Sequence, residues 1–289
     1  MPEKIFNVIA NKPAPAESGK TLKSLNPANT DDIVGIAPSS GRADIDAAVK
    51  AAKKAFESWR LTPAPRRGEI LYRAAEAILK AKDELGRLVT REMGKILSEG
   101  LGDVQEAVDM AYYMAGEGRR LDGQTVPSEL FDKDCKSVRV PIGVFALITP
   151  WNFPVAIPAW KIFPSLIAGN TVVFKPSSFT PVCAAKLADI IIAAGLPSGV
   201  LNVVHGTGDE AGEYLATHPF VDGVSFTGST AVGEKLARMC GAKEISCEMG
   251  GKNPIIVMDD ARLDLAVEGA LWGGFGTTGQ RCTAASRVI

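Results

Sequence analysis

A cysteine in a small, polar and flexible setting is the main candidate for a nucleophile in this chain. Cys282 follows the segment G-T-T-G-Q-R at 276–281, whereas a buried structural cysteine usually has apolar neighbours. Cys183 and Cys240 lie in apolar patterns with helical spacing and are predicted to be inert. The sequence therefore predicts covalent chemistry at Cys282.

Neither histidine of the chain is an obvious general base for this cysteine. The chain has two histidines: His218 precedes a proline at a predicted helix end, and His205 precedes a glycine-rich turn. Both positions favour a structural role. Glu248 lies beside a glycine pair in the segment C-E-M-G-G-K-N-P at 247–254. Because a carboxylate can act as a general base, Glu248 is the more economical candidate.

Turns at predicted strand ends are the other places where ligand chemistry is expected, because ligands of a doubly wound sheet bind beyond the carboxyl ends of its strands. Four such turns cover residues 148–154, 173–178, 206–211 and 226–233. The second turn places Lys175 at a strand end. Lys175 is either a ligand contact there or a charge exposed to solvent. The last two are glycine-rich, and either hold a phosphate at a helix start or are simple connections that need positive φ.

Hydrophobic spacing predicts the elements that join these turns. Residues 1–42 are interpreted as an arm of short extended pieces with a turn at 27–31. From Asp44, placed as a helix cap, apolar residues recur at three- and four-residue spacing. Further helices are predicted at 66–81, 83–94 and 99–119.

Strands and helices alternate regularly after Gly143. The predicted strands are 143–149, 171–175, 200–204, 223–226 and 244–248, and the predicted helices are 155–168, 180–194, 209–217 and 229–239. This alternation is typical of a parallel sheet covered on both faces, so the fold class is α/β with a doubly wound, Rossmann-like sheet. The segment 123–140 is either an oligomerisation arm or a surface loop, with an exposed strand or hairpin predicted at 137–141.

Composition excludes several classes of protein. The 289 residues carry 32 basic and 33 acidic side chains, and this net charge of −1 disfavours nucleic-acid binding. The first twenty residues lack the apolar region of a signal peptide, and no run of 18 apolar residues occurs, so no membrane partner and a cytoplasmic location are expected. The five cysteines show no C-x-x-C spacing, and neither a disulfide framework nor a metal site is predicted.

Five motifs together resemble those of the aldehyde dehydrogenase superfamily. They are W-N-F-P at 151–154, F-K-P at 174–176, F-T-G-S-T-x-x-G at 226–233, E-M-G-G-K-N-P at 248–254 and G-Q-R-C at 279–282. The resemblance implies an NAD(P)-binding domain at 1–122 and 141–250, an oligomerisation arm at 123–140, and the start of a second α/β catalytic domain at 251–289. It also implies oxidation of an aldehyde to an acid with NADP or NAD, and a homo-oligomer, dimer or tetramer.

The resemblance assigns roles to individual residues. Cys282 would be the nucleophile, Glu248 the base that activates water, and Asn152 an oxyanion donor. The cofactor residues implied are Thr149, Pro150, Trp151, Lys175, Ser177, Ser178, Gly208, Phe226, Thr227, Gly228, Ser229, Gly233 and Gly250. The substrate tunnel would be lined by Phe153, Ile157, Trp160 and Arg281. Arg281 either favours an acidic semialdehyde or belongs to a structural ion pair.

Two rival hypotheses remain at this point. Because the sequence lacks most of the family's catalytic domain after Cys282, one rival is a nucleotide-binding fragment that does not turn over. We expect weak dinucleotide binding and negligible oxidation from such a fragment, with Trp272 and Phe275 exposed. The other rival is a thiol esterase that uses the same cysteine without a nucleotide.

Overall fold

The fold was described from a computed structural model, which covers residues 2–289. Its strands are β1 (Glu3–Lys4), β2 (Asn7–Ile9), β3 (Lys12–Ala14), β4 (Thr21–Asn26), β5 (Asn29–Pro38), β6 (Thr125–Val126), β7 (Cys135–Lys136), β8 (Val144–Ile148), β9 (Thr171–Lys175), β10 (Leu201–Val203), β11 (Gly223–Thr227), β12 (Glu244–Glu248), β13 (Asn253–Ile255) and β14 (Ala285–Val288). Its α-helices are α1 (Arg42–Trp59), α2 (Ala64–Lys80), α3 (Lys82–Met93), α4 (Leu97–Glu117), α5 (Ala156–Ile167), α6 (Pro181–Ala193), α7 (Glu213–Thr217), α8 (Thr230–Cys240) and α9 (Leu263–Phe275).

A seven-stranded sheet with the order β12-β11-β8-β9-β10-β2-β3 forms the centre of the molecule. Its first five strands are parallel, which confirms the doubly wound α/β class. Two antiparallel strands extend this parallel sheet, because β2 pairs antiparallel with β10 and β3 with β2. The N-terminal arm thus completes the sheet edge. Its β2–β3 turn places Ala10 and Asn11 at positive φ, as the tight turn of a two-residue hairpin requires.

The sheet is covered on both faces, as predicted. In β9, Val172 and Phe174 face a cluster built with α2 to α6 and the end of α1, while the intervening Val173 faces a second cluster built with the rest of α1, α7 and α8. This division follows from the alternation of side chains along a strand. The carboxyl ends of β8, β9 and β11 are therefore held rigidly at one edge.

Several predicted boundaries need correction. A second sheet, β1-β5-β4, lies before the first helix, and its hairpin turn is confined to residues 27–28 because Asn26 pairs with Asn29. Asp44 is not the cap of α1: Gly41 is, and the Asp44 carboxylate accepts the Gly41 N–H three residues back. The strand expected at 137–141 is absent, since the exposed hairpin pairs β6 with β7 instead.

The predicted helix at 209–217 also differs from expectation. It begins as a π-helix at Gly208–Gly212 and continues as α7. The Thr207 side chain accepts the Glu210 N–H at the start of this helix. The G-x-G-x-x-A segment therefore forms a wide helical turn rather than the first turn of an ordinary α-helix.

Residues 251–289 lie outside the three core clusters. Helix α9 has no buried residue, and Trp272 and Phe275 are 59% and 74% exposed, as expected. Strands β13 and β14 form a separate parallel pair. A domain boundary near residue 250 stays a prediction. Across residues 2–289, no helix combines the length and the apolar character needed to cross a membrane.

His205 lies where the N-terminal arm joins the sheet. Its N–H donates to Asn7 Oδ1 at 2.9 Å, and its carbonyl accepts the Ser40 N–H at 2.9 Å. The ring is buried, and burial together with the nearby Lys175 ammonium lowers the pKa of His205 to about 3. This environment agrees with the structural role predicted for the residue.

The depressed pKa of His205 predicts a loss of stability in acid. The unfolded histidine binds a proton below about pH 6.5, whereas the folded one stays neutral until about pH 3, so stability falls as pH falls through this window. Relative to His205→Leu, the wild-type free energy of unfolding should fall by about 2 kcal/mol between pH 7 and pH 5. Urea titrations of both proteins at the two pH values measure this difference. Parallel pH dependences would contradict the assignment.

Candidate active site

Cys282 lies in a short connection between α9 and β14, which we call the nucleophile loop (residues 276–284). The loop bends sharply, because Thr277 and Thr278 adopt φ values of 50° and 54° and Gly279 a φ of 72°. Such values are rare for β-branched residues such as threonine. Cys282 is exposed at the end of this bend.

Three side chains from other elements hold this loop in place. Glu99 Oε1 accepts the Thr277 N–H at 2.8 Å. Asn152 Nδ2 donates to the Gln280 carbonyl at 2.8 Å, and Asn253 Nδ2 donates to the Cys282 carbonyl at 2.8 Å. The position of Cys282 is thus set by α4, by the loop after β8 and by β13 together.

Cys282 lines two neighbouring cavities. A cavity of about 320 Å³ lies towards the turn after β11 and includes Asn152, Gly228 and Ser229 in its lining. A cavity of about 300 Å³ lies on the α4 side. The four residues predicted for the substrate tunnel, Phe153, Ile157, Trp160 and Arg281, all line this second cavity. A thiol at this junction can meet reactants that arrive from two sides.

The segment 149–155, which we call the Asn152 loop, is anchored by a buried ion pair. Lys95 Nζ lies 3.2 Å from Asp103 Oδ2, and both side chains are fully buried. Asp103 Oδ1 accepts the N–H of Ala156, the first residue of α5, at 2.6 Å. The Lys95 ammonium lies 3.7 Å from the centre of the Phe153 ring. Despite Lys95, burial raises the pKa of Asp103.

Lys175 is buried rather than solvated, which corrects the alternative left open for it. Its ammonium donates to the Pro176 carbonyl at 2.6 Å and to the Gly206 carbonyl at 3.1 Å. Burial lowers the pKa of Lys175 to about 8. The Thr149 N–H donates to the Lys175 carbonyl, so the ends of β8 and β9 are joined here.

The turn after β11 contains glycines that no larger residue can replace without movement. A Cβ at Gly228 would collide with the Phe226 ring, and one at Gly233 would collide with Met249. Ser229 caps α8 by accepting the Val232 N–H at 3.4 Å, while the first N–H groups of a helix have no partner within it. This arrangement fits the phosphates of a dinucleotide.

Glu248 lies at the end of the edge strand β12 and is exposed. It lines neither of the two cavities at Cys282. Lys161 of α5 is its neighbour: burial lowers the pKa of Lys161 to about 8, and the Glu248 carboxylate partly opposes this effect. The structure therefore brings Cys282 and Asn152 together but leaves Glu248 outside their cavities.

Arg281 forms an ion pair and also lines the second cavity. Its Nη2 lies 3.0 Å from Glu99 Oε1, and its Nε donates to Thr277 Oγ1 at 3.1 Å. The guanidinium carbon lies 4.4 Å from the centre of the Trp272 ring. The structural ion pair is present, and contact with a substrate stays a prediction.

The remaining predicted cofactor residues surround the same sheet edge. Pro150, Trp151, Thr227 and Gly250 line the cavity that also contains Gly228. Ser177 and Ser178 are half-buried in the turn after β9, and Gly208 is exposed. Sequence reasoning missed Lys95, Glu99, Asp103 and Asn253. Only the four-residue spacing of Glu99 and Asp103, which places them on one helix face, could have indicated a shared role.

Comparisons with known proteins agree on one family. The sequence model of the aldehyde dehydrogenase family matches residues 14–289. An alignment that covers 98% of the chain gives 44% identity to the alpha-ketoglutaric semialdehyde dehydrogenase of Bacillus subtilis. Over 94% of its length, it is 43% identical to the NADP(+) succinate-semialdehyde dehydrogenase of Escherichia coli.

Solved structures give the same result. A crystal structure of an NADP-dependent enzyme from E. coli superposes with a TM-score of 0.96 at 41% identity, covering 99% of this chain and 60% of that one. An NAD-dependent aldehyde dehydrogenase from Sinorhizobium meliloti gives a TM-score of 0.96 at 37% identity, covering 99% and 58%. The chain spans 59% and 57% of the length of the two curated relatives.

The buried pair behind the Asn152 loop predicts a large mutational effect. Asp103→Ala should lower the free energy of unfolding by about 3–5 kcal/mol, because it leaves the Lys95 ammonium buried without a counter-charge. The double variant Lys95→Met, Asp103→Leu should lose less, since no charge remains buried. Denaturant unfolding of the three proteins measures the difference. A double variant as unstable as Asp103→Ala would contradict this explanation.

Proposed function

This chain belongs to the aldehyde dehydrogenase family, and we propose that it carries the site at which an aldehyde is oxidised to a carboxylic acid with NADP or NAD. The observation that carries this proposal is the position of Cys282 at the junction of two cavities. One cavity borders the turn that fits a dinucleotide, and the other is lined by aromatic, aliphatic and charged side chains.

Covalent attack would begin the reaction. The Cys282 thiolate would add to the aldehyde carbonyl and form a thiohemiacetal, whose oxygen takes the negative charge that leaves the sulfur. The Asn152 amide and the Cys282 N–H are the proposed donors to that oxygen. Asn152 Nδ2 already points into the nucleophile loop, where it donates to the Gln280 carbonyl. An exchange of this acceptor for the substrate oxygen would bring the donor into use.

Release of the acid requires a hydride acceptor and water. A nicotinamide held at the carboxyl ends of the strands would supply the hydride acceptor, and Cys282 would then carry the acyl group as a thioester. Glu248 would then remove a proton from the water that hydrolyses the thioester. Because Glu248 lies outside the cavities at Cys282, we propose that its carboxylate swings towards the sulfur during this step.

The proposed dinucleotide site follows the carboxyl ends of β8, β9 and β11. The free N–H groups of α8 would hold phosphate, and the turn with Ser177 and Ser178 would lie near the adenosine ribose. Lys175 would present its buried ammonium at the base of this turn, where Pro176 and Gly206 carbonyls fix it. The other proposed contacts are Thr149, Pro150, Trp151, Gly208, Phe226, Thr227, Gly228, Gly233 and Gly250.

A carboxylate-bearing semialdehyde is the substrate class that we propose. Arg281 brings a guanidinium to the cavity that Cys282 lines, and Phe153, Ile157 and Trp160 supply apolar walls. Two similar proteins are named as semialdehyde dehydrogenases. We also propose that the segment 123–140 mediates homo-oligomerisation, since residues 129–140 are all exposed and Phe131 is 97% exposed. The cytoplasmic location stays a prediction.

Nucleotide binding without turnover is a second candidate function. It is favoured by the exposure of α9, the helix that leads directly into the nucleophile loop and buries none of its residues. An active site that closes over its reactants excludes water and fixes the geometry of the reacting groups. An exposed helix beside the site does not exclude water and does not fix that geometry. Dinucleotide binding with no aldehyde-dependent reduction would support this second candidate.

The proposed division of roles between Cys282 and Glu248 is testable in rapid-mixing experiments. With NADP and succinate semialdehyde, Glu248→Gln should retain a burst of reduced cofactor while steady turnover falls by about 100- to 10,000-fold, because acylation does not need this base. Cys282→Ala should abolish both phases. Absorbance of the reduced cofactor reports each phase. Loss of the burst with steady turnover intact would exclude Glu248 as the deacylation base.

Cofactor selectivity is predicted to depend on Ser178. A carboxylate at this position would repel a 2′-phosphate by about 1–4 kcal/mol at about 4 Å, whereas serine imposes no such cost. Ser178→Glu should therefore shift the ratio of affinities from NADP towards NAD. Binding of both nucleotides can be followed by tryptophan fluorescence, with Ser18→Glu, far along the chain in the N-terminal arm, as the charge-matched control. An unchanged ratio would contradict the prediction.

A further inference from the structure

Glu99 stands at the start of α4 and contacts the nucleophile loop at two points. Its Oε1 accepts the Thr277 N–H at 2.8 Å and lies 3.0 Å from Arg281 Nη2. The two side chains of the ion pair are only 10% and 15% exposed. We propose that Glu99 is a positioning residue that holds Cys282 at the junction of its two cavities. The proposal rests on the proposed function for its catalytic meaning.

The conformation of the loop explains why such a residue is needed. Thr277 and Thr278 both lie in the left-handed region, where a β-branched side chain is unfavourable. The Glu99 hydrogen bond reaches the backbone at the first of these residues. A charge-assisted hydrogen bond is stronger than a neutral one, so it can offset part of the cost of this bend.

The second contact closes the loop on itself. Because one carboxylate oxygen meets both Thr277 and Arg281, the chain between them is fixed at both ends. Arg281 packs so closely on Gly276 that a Cβ there would collide with the guanidinium. Cys282 follows directly, so release of Arg281 would leave Asn253 as the remaining side chain that holds the Cys282 backbone.

The same helix also supports the other half of the site. Glu99 and Asp103 are four residues apart and therefore lie on one face of α4. Asp103 accepts the Ala156 N–H next to the Asn152 loop, while Glu99 holds the nucleophile loop. Helix α4 thus sets the separation between the Asn152 amide and the Cys282 sulfur. Neither side chain is assigned a part in the covalent chemistry.

Amide deuterium labelling tests this role without reference to dehydrogenase activity. The exposed stretch 129–140 supplies an internal reference in the same polypeptide. In Glu99→Ala, the ratio of the deuterium labelling rate in the nucleophile loop to that in residues 129–140 should rise about tenfold, because the Thr277 N–H loses its hydrogen bond to a charged group and the loop opens. Glu99→Gln, which keeps an acceptor oxygen for Thr277, should show a smaller rise.

A second substitution separates positioning from general stability. In the Glu99→Ala background, Thr278→Gly should recover most of the wild-type labelling ratio, because glycine adopts positive φ without steric cost. Asp109→Asn, at an exposed position of the same helix, should leave the ratio unchanged. An unchanged ratio in Glu99→Ala, or no recovery in the double variant, would overturn the proposal.

Turnover measurements then distinguish this proposal from the proposed function. If the wild type oxidises succinate semialdehyde, Glu99→Ala should lower kcat by about 100-fold with little change in KM, as expected when a reacting group is misplaced by about 1 Å. A changed labelling ratio with unchanged kcat would show that the contact is only structural. If the wild type shows no oxidation, the proposed function fails, and the labelling ratios alone decide whether Glu99 holds the loop.

Discussion

The buried ion pair between Lys95 and Asp103 is the constraint on which the arrangement of the site depends. Two charges with no solvent access can coexist in a folded protein only when they remain paired and hydrogen-bonded. This requirement fixes the start of α4 against the start of α5 and places the Lys95 ammonium over Phe153. Neither helix can slide along the other without breaking the hydrogen bond from the Ala156 N–H to Asp103. The Asn152 loop, which connects the sheet to α5, is therefore held in a fixed position.

The nucleophile loop has a different kind of support. The three core clusters end before residue 251, and the loop depends on polar side chains that reach it from elsewhere. Glu99, Asn152 and Asn253 each bond to its backbone. The candidate site thus has two parts. The Asn152 loop is held rigidly by apolar packing and a buried charge pair, whereas the shape of the nucleophile loop depends on a few directed hydrogen bonds.

Local sequence patterns predicted the strands and helices of the doubly wound sheet well, but they did not predict its long-range contacts. Strand Thr171–Lys175 was predicted to the residue, because its apolar run is bounded by turn residues on both sides. The burial of Lys175 could not be foreseen, since its partners are backbone carbonyls and one of them lies 31 residues away. The role of Glu99 was hidden for the same reason, because its partner Thr277 lies 178 residues later. The family motifs predicted the reacting residues but not the side chains that hold them.

The antiparallel edge of the central sheet has a consequence for the order in which the protein can fold. Asn7 meets His205 across 198 residues of chain, so β2 cannot reach its neighbour β10 until that length of chain has been synthesised. At about 5–20 residues per second, the ribosome needs roughly 10–40 seconds to make that length. During this interval β2 lacks β10, its partner in the central sheet. Closure of the β2–β10 ladder therefore comes after synthesis of the five parallel strands except β11 and β12, and it joins the β2–β3 hairpin to strands that are made much later.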